Sequence, residues 1–114
     1  MTEPLLTVVE TAPYLAEAKK IMTDEERSEL VNMIAADPTC GDLIVGGGGV
    51  RKVRFATGNK GKSGGVRVIY YFHNDQYPVF LFIVYAKSDR TNLSSAQLQT
   101  VSRLAKTLVE SYGD

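Results

Sequence analysis

ATGNKGKSGGVRVIYYF, residues 56–72, supports two readings that exclude each other. Its first half, Ala56 to Ser63, fits the looser form of a phosphate-cradling loop, with Ala in place of the first Gly. That motif works only where a strand precedes it and a helix opens at Lys62-Ser63, presenting its free N–H groups to a phosphate. The second half decides the matter. Gly64-Gly65 followed by the β-branched and aromatic run Val66 to Phe72 reads as a turn into a strand. Ala56 to Ser63 then becomes the lysine-rich tip of a hairpin. A nucleotide-binding enzyme built on this loop is the weakest of three functional readings, and it predicts measurable ATP or GTP binding.

Working outward, VRKVRF (50–55) alternates, with Arg51, Val53 and Phe55 on one side and Val50, Lys52 and Arg54 on the other. VRVIYYFH (66–73) forms the return strand. After a turn at Asn74-Asp75, PVFLFIVYAK (78–87) is almost continuously apolar, as expected of a central strand covered on both faces. Upstream, LLTVVE (5–10) is a short strand and Pro13 to Lys20 a short helix. Thr23 with Glu26 three residues later is a capping box opening a helix over Asp24 to Ala36, which AADP ends. LIVGGGGV (43–50) is a strand stub and a glycine loop. Ser94 with Gln97 opens the last helix, Ser95 to Ser111, whose apolar stripe is Leu98, Val101, Leu104, Ala105 and Leu108. Helices kept apart from an antiparallel meander make the fold class α+β, in the order β-α-α-β-β-β-α. The expectation is one domain over residues 1–114, long enough to bury its own core.

The formal net charge is zero, yet the charges are segregated. Residues 1–42 hold nine acids and three bases, whereas residues 43–74 hold six bases and no acid. The remaining residues balance. Arg51, Lys52, Arg54, Lys60, Lys62 and Arg67 therefore imply a basic face and an anionic partner. One cysteine, Cys40, rules out an internal disulfide framework and suits a reducing compartment. The longest apolar run, Val79 to Ala86, is too short to span a membrane. No secretory leader is evident at the N-terminus, so the expected location is cytoplasmic.

Alternation lets one sheet face be assembled from the strands. Arg67, Ile69, Tyr71 and His73 share a side of one strand; Val79, Leu81, Ile83, Tyr85 and Lys87 share a side of the next. Joined by Lys52 and Arg54, these form a phosphate-binding surface with stackable aromatics. His73 is the only histidine, which excludes a two-histidine ribonuclease mechanism, and no metal or cofactor is implied. RNA cleavage would then fall to Lys, Arg and Tyr. It requires deprotonation of the 2′-OH, stabilisation of the phosphorane's charge, and protonation of the departing 5′-oxygen. Arg67 suits the second task, because a planar guanidinium grips two phosphate oxygens. Lys60, Lys62 or Lys87, each among other cations, and Tyr71 or Tyr85 are the candidates for moving protons or stacking on bases.

The segment Asn59 to Phe72, followed by FIVYAKSDRTNLSSAQ (82–97), resembles the RelE superfamily of toxins from bacterial toxin–antitoxin modules, and most closely its HigB branch. LIVGGGGVRKVRF (43–55) is similar to that branch's segment before the hairpin. The likeness covers about residues 41–112. It implies a small sheet flanked by helices, acting as an mRNA endonuclease in the ribosomal A site and neutralised by a cognate antitoxin. It also implies that Arg67 contacts the scissile phosphate, that Lys52 and Arg54 line the same cleft, and that Lys60, Lys62 and Lys87 match the family's lysines; the residues themselves, apart from the likeness, add Arg51 and Tyr71 as further RNA contacts. Ser88 stands where RelE has a catalytic arginine, so Lys87 or Tyr85 has to take the proton-transfer role. The alternative within the same fold is a non-catalytic RNA- or ribosome-binding module.

Overall fold

A computed structural model describes residues 6–57, 65–87 and 93–112. The chain runs β1 (Val8–Glu10), α1 (Ala12–Ile21), α2 (Asp24–Ala36), β2 (Asp42–Leu43), β3 (Val50–Phe55), β4 (Val66–Tyr71), β5 (Val79–Ala86) and α3 (Ser95–Tyr112). These are the expected elements, with the strand stub formed as the two-residue β2. Both capping boxes form. The Thr23 hydroxyl accepts from the Glu26 N–H at 3.1 Å while the Glu26 carboxylate accepts from the Thr23 N–H at 3.0 Å. Ser94 and Gln97 repeat the arrangement at α3. Each box satisfies N–H groups that a helix start leaves without partners.

The sheet order is β1-β5-β4-β3-β2. Consecutive strands β2 to β5 pair antiparallel, and β1 closes the far edge parallel to β5, Val8 opposite Val79. Helices lie on both faces. On one, Tyr14, Leu30 and Ile34 of α1 and α2 pack on Val68, Tyr70 and Leu81. On the other, Val101 and Ala105 of α3 pack on Val50, Ile69 and Phe80. Every residue of β4 is consequently buried.

Strict alternation fails at one place. Ile69 faces Ile83 but Tyr70 faces Leu81, so Phe82 is an extra residue in β5. The bulge resets the period-two pattern. Val79 and Leu81 therefore sit in the α1/α2 core, while Ile83 and Tyr85 belong to the α3 side, which corrects the single face expected for Val79, Leu81, Ile83 and Tyr85.

Tyr70 pins the loop that leads from α2 into β2. Its hydroxyl donates to the Pro38 carbonyl at 2.7 Å and accepts from the Gly41 N–H at 2.9 Å. Burial pushes this hydroxyl's pKa well above the ordinary tyrosine value, as it does for Tyr14 and, with a contribution from Tyr77, for Tyr71. The folded state thus holds these protons when the unfolded chain has begun to lose them. Stability should be insensitive to tyrosine ionisation up to about pH 10 and fall as pH rises further. Thermal melts across that range test this, and Tyr70→Phe should make the alkaline fall shallower.

Candidate nucleic-acid interface

The cross-strand register brings Arg54, Arg67 and Tyr85 onto a single rung of β3, β4 and β5. The adjacent rung on the same face carries Lys52, Ile69 and Ile83. Directly opposed side chains on neighbouring strands have Cβ atoms about 5 Å apart. Two guanidinium-bearing residues therefore stand side by side, a concentration of positive charge whose repulsion an anion lying across both would reduce. Arg67 is 9% exposed and Tyr85 5%, so they form the floor, whereas Arg54 is exposed at the margin. Lys52 is half-buried beside them. Arg67 Nη1 lies 3.4 Å from the Val66 carbonyl, which fixes the guanidinium along the strand.

Lys87 follows at the exit of β5. Its N–H donates to the Gly65 carbonyl at 3.1 Å, which holds it against the start of β4, two residues from Arg67 along that strand. It is exposed. Lys60 and Lys62 lie outside the described residues, as does Ser88.

Two of the expected contacts are placed elsewhere. Arg51 alternates to the opposite face, where its Nη1 donates to the Gly41 carbonyl at 2.8 Å and approaches that of Thr39 at 3.4 Å. It ties down the same loop that Tyr70 holds. Tyr71 keeps the predicted face but stands four residues beyond Arg67, about 13 Å at the rise of a strand. It is 7% exposed within the α3 core, and its hydroxyl is 3.2 Å from Nδ1 of His73. The His73 ring in turn meets Tyr77 edge-on at 4.6 Å. Cys40 is exposed, its Sγ 3.8 Å from the Tyr70 hydroxyl.

The acids gather on the other side of the sheet. Asp24, Glu25 and Glu29 are exposed on α2, Glu17 on α1, and Arg27 bridges Asp24 at 2.9 Å and Glu10 at 3.7 Å. Folding thereby converts the segregation along the sequence into a molecule with an acidic helical side and a basic sheet side. Counting charges by segment passed over two further cations, Arg103 and Lys106 on α3, because residues 75–114 balance overall. A helical projection of α3 would have found them, since both fall on the flank away from the apolar stripe. Among the described residues, no helix is long and apolar enough to cross a membrane.

Comparison with known proteins agrees with the architecture. The family model described as RelE toxin of the RelE/RelB toxin–antitoxin system matches residues 8–113. Among solved structures, the chain is similar to an E. coli RelE toxin carrying two arginine-to-alanine substitutions, in the free state. The identity is 15% and the TM-score 0.55, with 87% of this chain and 95% of the other covered. With the family match spanning almost the whole chain and the strand order and flanking helices in place, the protein belongs to the RelE family of toxins from toxin–antitoxin systems.

Proposed function

We propose that this toxin is a metal-independent, ribosome-dependent mRNA endonuclease, an mRNA interferase held in check by a cognate antitoxin and acting in the cytoplasm on messages in the ribosomal A site. The observation that carries the reading is the rung Arg54–Arg67–Tyr85 with Lys52 beside it, on the sheet side turned away from the acidic helices. A polyanion lying across that rung and the next meets two guanidiniums, an ammonium and a phenol carried by three neighbouring strands.

The chemistry follows from those groups. Arg67, largely buried and always charged, holds the non-bridging oxygens of the scissile phosphate and stabilises the charge that grows as the 2′-oxygen attacks. Arg54 and Lys52 position the flanking backbone. Tyr85 beneath and Lys87 at the strand exit are assigned to take the 2′-hydroxyl proton and return one to the 5′-oxygen. Lys60 and Lys62, which lie between β3 and β4 in the sequence, are assigned to the same task or to backbone contact. The HigB branch fits best by the sequence of residues 43–55. Inhibition of translation is the consequence of the cut message.

One feature favours the alternative, a module of this fold that docks without cutting: position 88 carries Ser in place of an arginine. Controlled induction of the chain followed by mapping of new 5′ ends separates the two. An interferase produces fresh ends inside translated reading frames and none in the same transcripts lacking a start codon. Growth arrest without new ends would defeat the nuclease reading.

A further inference from the structure

The two flanks of α3 differ. One, with Thr100, Leu104 and Leu108, overlooks an apolar groove against β5. The other overlooks a separate groove of about 420 Å³ lined by Gly48, Ser102, Arg103, Lys106 and the apolar Val109, with Tyr71 at its floor. Arg103 and Lys106 are three residues apart on a helix, hence neighbours on one face. Both are exposed, and among the described residues neither forms an ion pair. The facing wall is bare backbone. Gly48 and Gly49 have φ of 67° and 101°, and a Cβ on Gly48 would come within 2.9 Å of the Ser102 hydroxyl. Gly48 puts no side chain in front of the two cations, which meet an anion from the helix. The floor offers no stacking platform, because Tyr71 is buried and its hydroxyl is engaged with His73. This is a surface for sugar–phosphate backbone rather than for bases.

It is also cut off from the Arg67 rung. Leu98 lies against Gly47 and Ser102 against Gly48, so helix and loop close on each other. Between Arg67 and Tyr71 on the same strand face, Ile69 is fully buried under α3. One extended strand cannot run from the first site to the second without crossing the helix.

We infer that the groove between Gly48 and the Arg103/Lys106 flank of α3 is a second phosphate-backbone contact, occupied by a segment of folded ribosomal RNA distinct from the strand over Arg67. The inference rests on the RNA-directed reading above and adds to it a docking site separate from the site of cleavage. Glu110, on the rim one turn beyond Lys106, tempers the attraction.

The test uses the full chain with Arg103→Ala/Lys106→Ala, purified ribosomes and a short fluorescent single-stranded RNA, with affinity measured at several salt concentrations. For ribosomes, the slope of log K against log salt should fall by about two, one per lost phosphate contact. At moderate salt this corresponds to a loss of affinity of about tenfold to a hundredfold. Affinity for the single-stranded RNA and cleavage at saturating ribosomes should be unchanged. Glu110→Gln should shift ribosome affinity the opposite way, and the charge-keeping pair Arg103→Lys/Lys106→Arg should bind as wild type. An unaltered ribosome slope overturns the second contact and leaves the nuclease reading standing. Equal weakening for ribosomes and single strand overturns the assignment to a separate segment. A wild-type chain that binds ribosomes with the predicted charge dependence but leaves messages intact removes the nuclease and keeps the docking groove. A chain that binds no ribosomes defeats both.

Discussion

Arg67→Gln should slow message cleavage on saturated, programmed ribosomes by about 10²–10³-fold, the usual consequence of removing one preorganised donor from a developing oxyanion. Glutamine keeps much of the volume and a hydrogen-bonding tip but has neither charge nor fork, so the substitution isolates the electrostatic role. The loss should fall on kcat and kcat/KM alike, because the interaction strengthens as charge grows on the phosphate and contributes less to ground-state binding. Ribosome affinity should weaken only modestly, with a salt slope lower by about one. The opposite pattern, unchanged cleavage or a loss confined to affinity, would favour the docking module. Arg67→Lys is informative beside it: the charge survives but the bidentate grip does not, and an intermediate rate is expected. Arg54→Gln, at the exposed margin of the same rung, should affect affinity more than rate. Thermal melts of each variant separate a local change from loss of the fold.

Gly65→Ala should destabilise the protein by about 3 kcal/mol or more, lowering the melting temperature by roughly 10 °C or more. Gly65 has a φ of 55°, in the left-handed region, and an added Cβ would collide with the Phe55 carbonyl oxygen and approach the Ala56 Cα and Thr57 N at 2.9 Å. All three are backbone atoms, so no side chain can swing aside to make room. The residue sits where β3 and β4 meet at the base of the hairpin, and its carbonyl accepts from Lys87. A shift there displaces Val66 and Arg67 directly. Gly46 is the internal control. Its φ is 79° with nothing within 4 Å of an added Cβ, so Gly46→Ala should cost only the left-handed backbone penalty, about 1–2 kcal/mol. A Gly65→Ala variant no less stable than Gly46→Ala would show that the base of the hairpin relaxes freely.

The candidate site was legible in the sequence to the extent that local rules carry over into space. Lys52, Arg54 and Arg67 share a face because alternation holds within β3 and β4, and those strands pair without irregularity. Tyr85 reaches the same rung, but the reasoning that put Val79 and Leu81 beside it ran through Phe82, where the bulge breaks the pattern. Nothing in VFLFIVYA marks the bulge, since every residue there is apolar and suits either face. Tyr71 was expected near the basic cluster because alternation fixes a side and not a distance along the strand. Arg51 looked like one more cation until the loop at Thr39 and Gly41 supplied carbonyls for it.

What the chain determined by itself is local: two capping boxes that satisfy their own N–H groups, strands punctuated by glycine, and a basic central third after an acidic first one. These depend on neighbours a few residues apart, so they can be read from order alone. The parallel seat of β1 beside β5, the register that aligns Arg54, Arg67 and Tyr85, and the closure of α3 on the glycine loop join residues tens of positions apart. Only burial on both faces of the sheet selects among such pairings, because a one-residue slip would turn every buried side chain toward water.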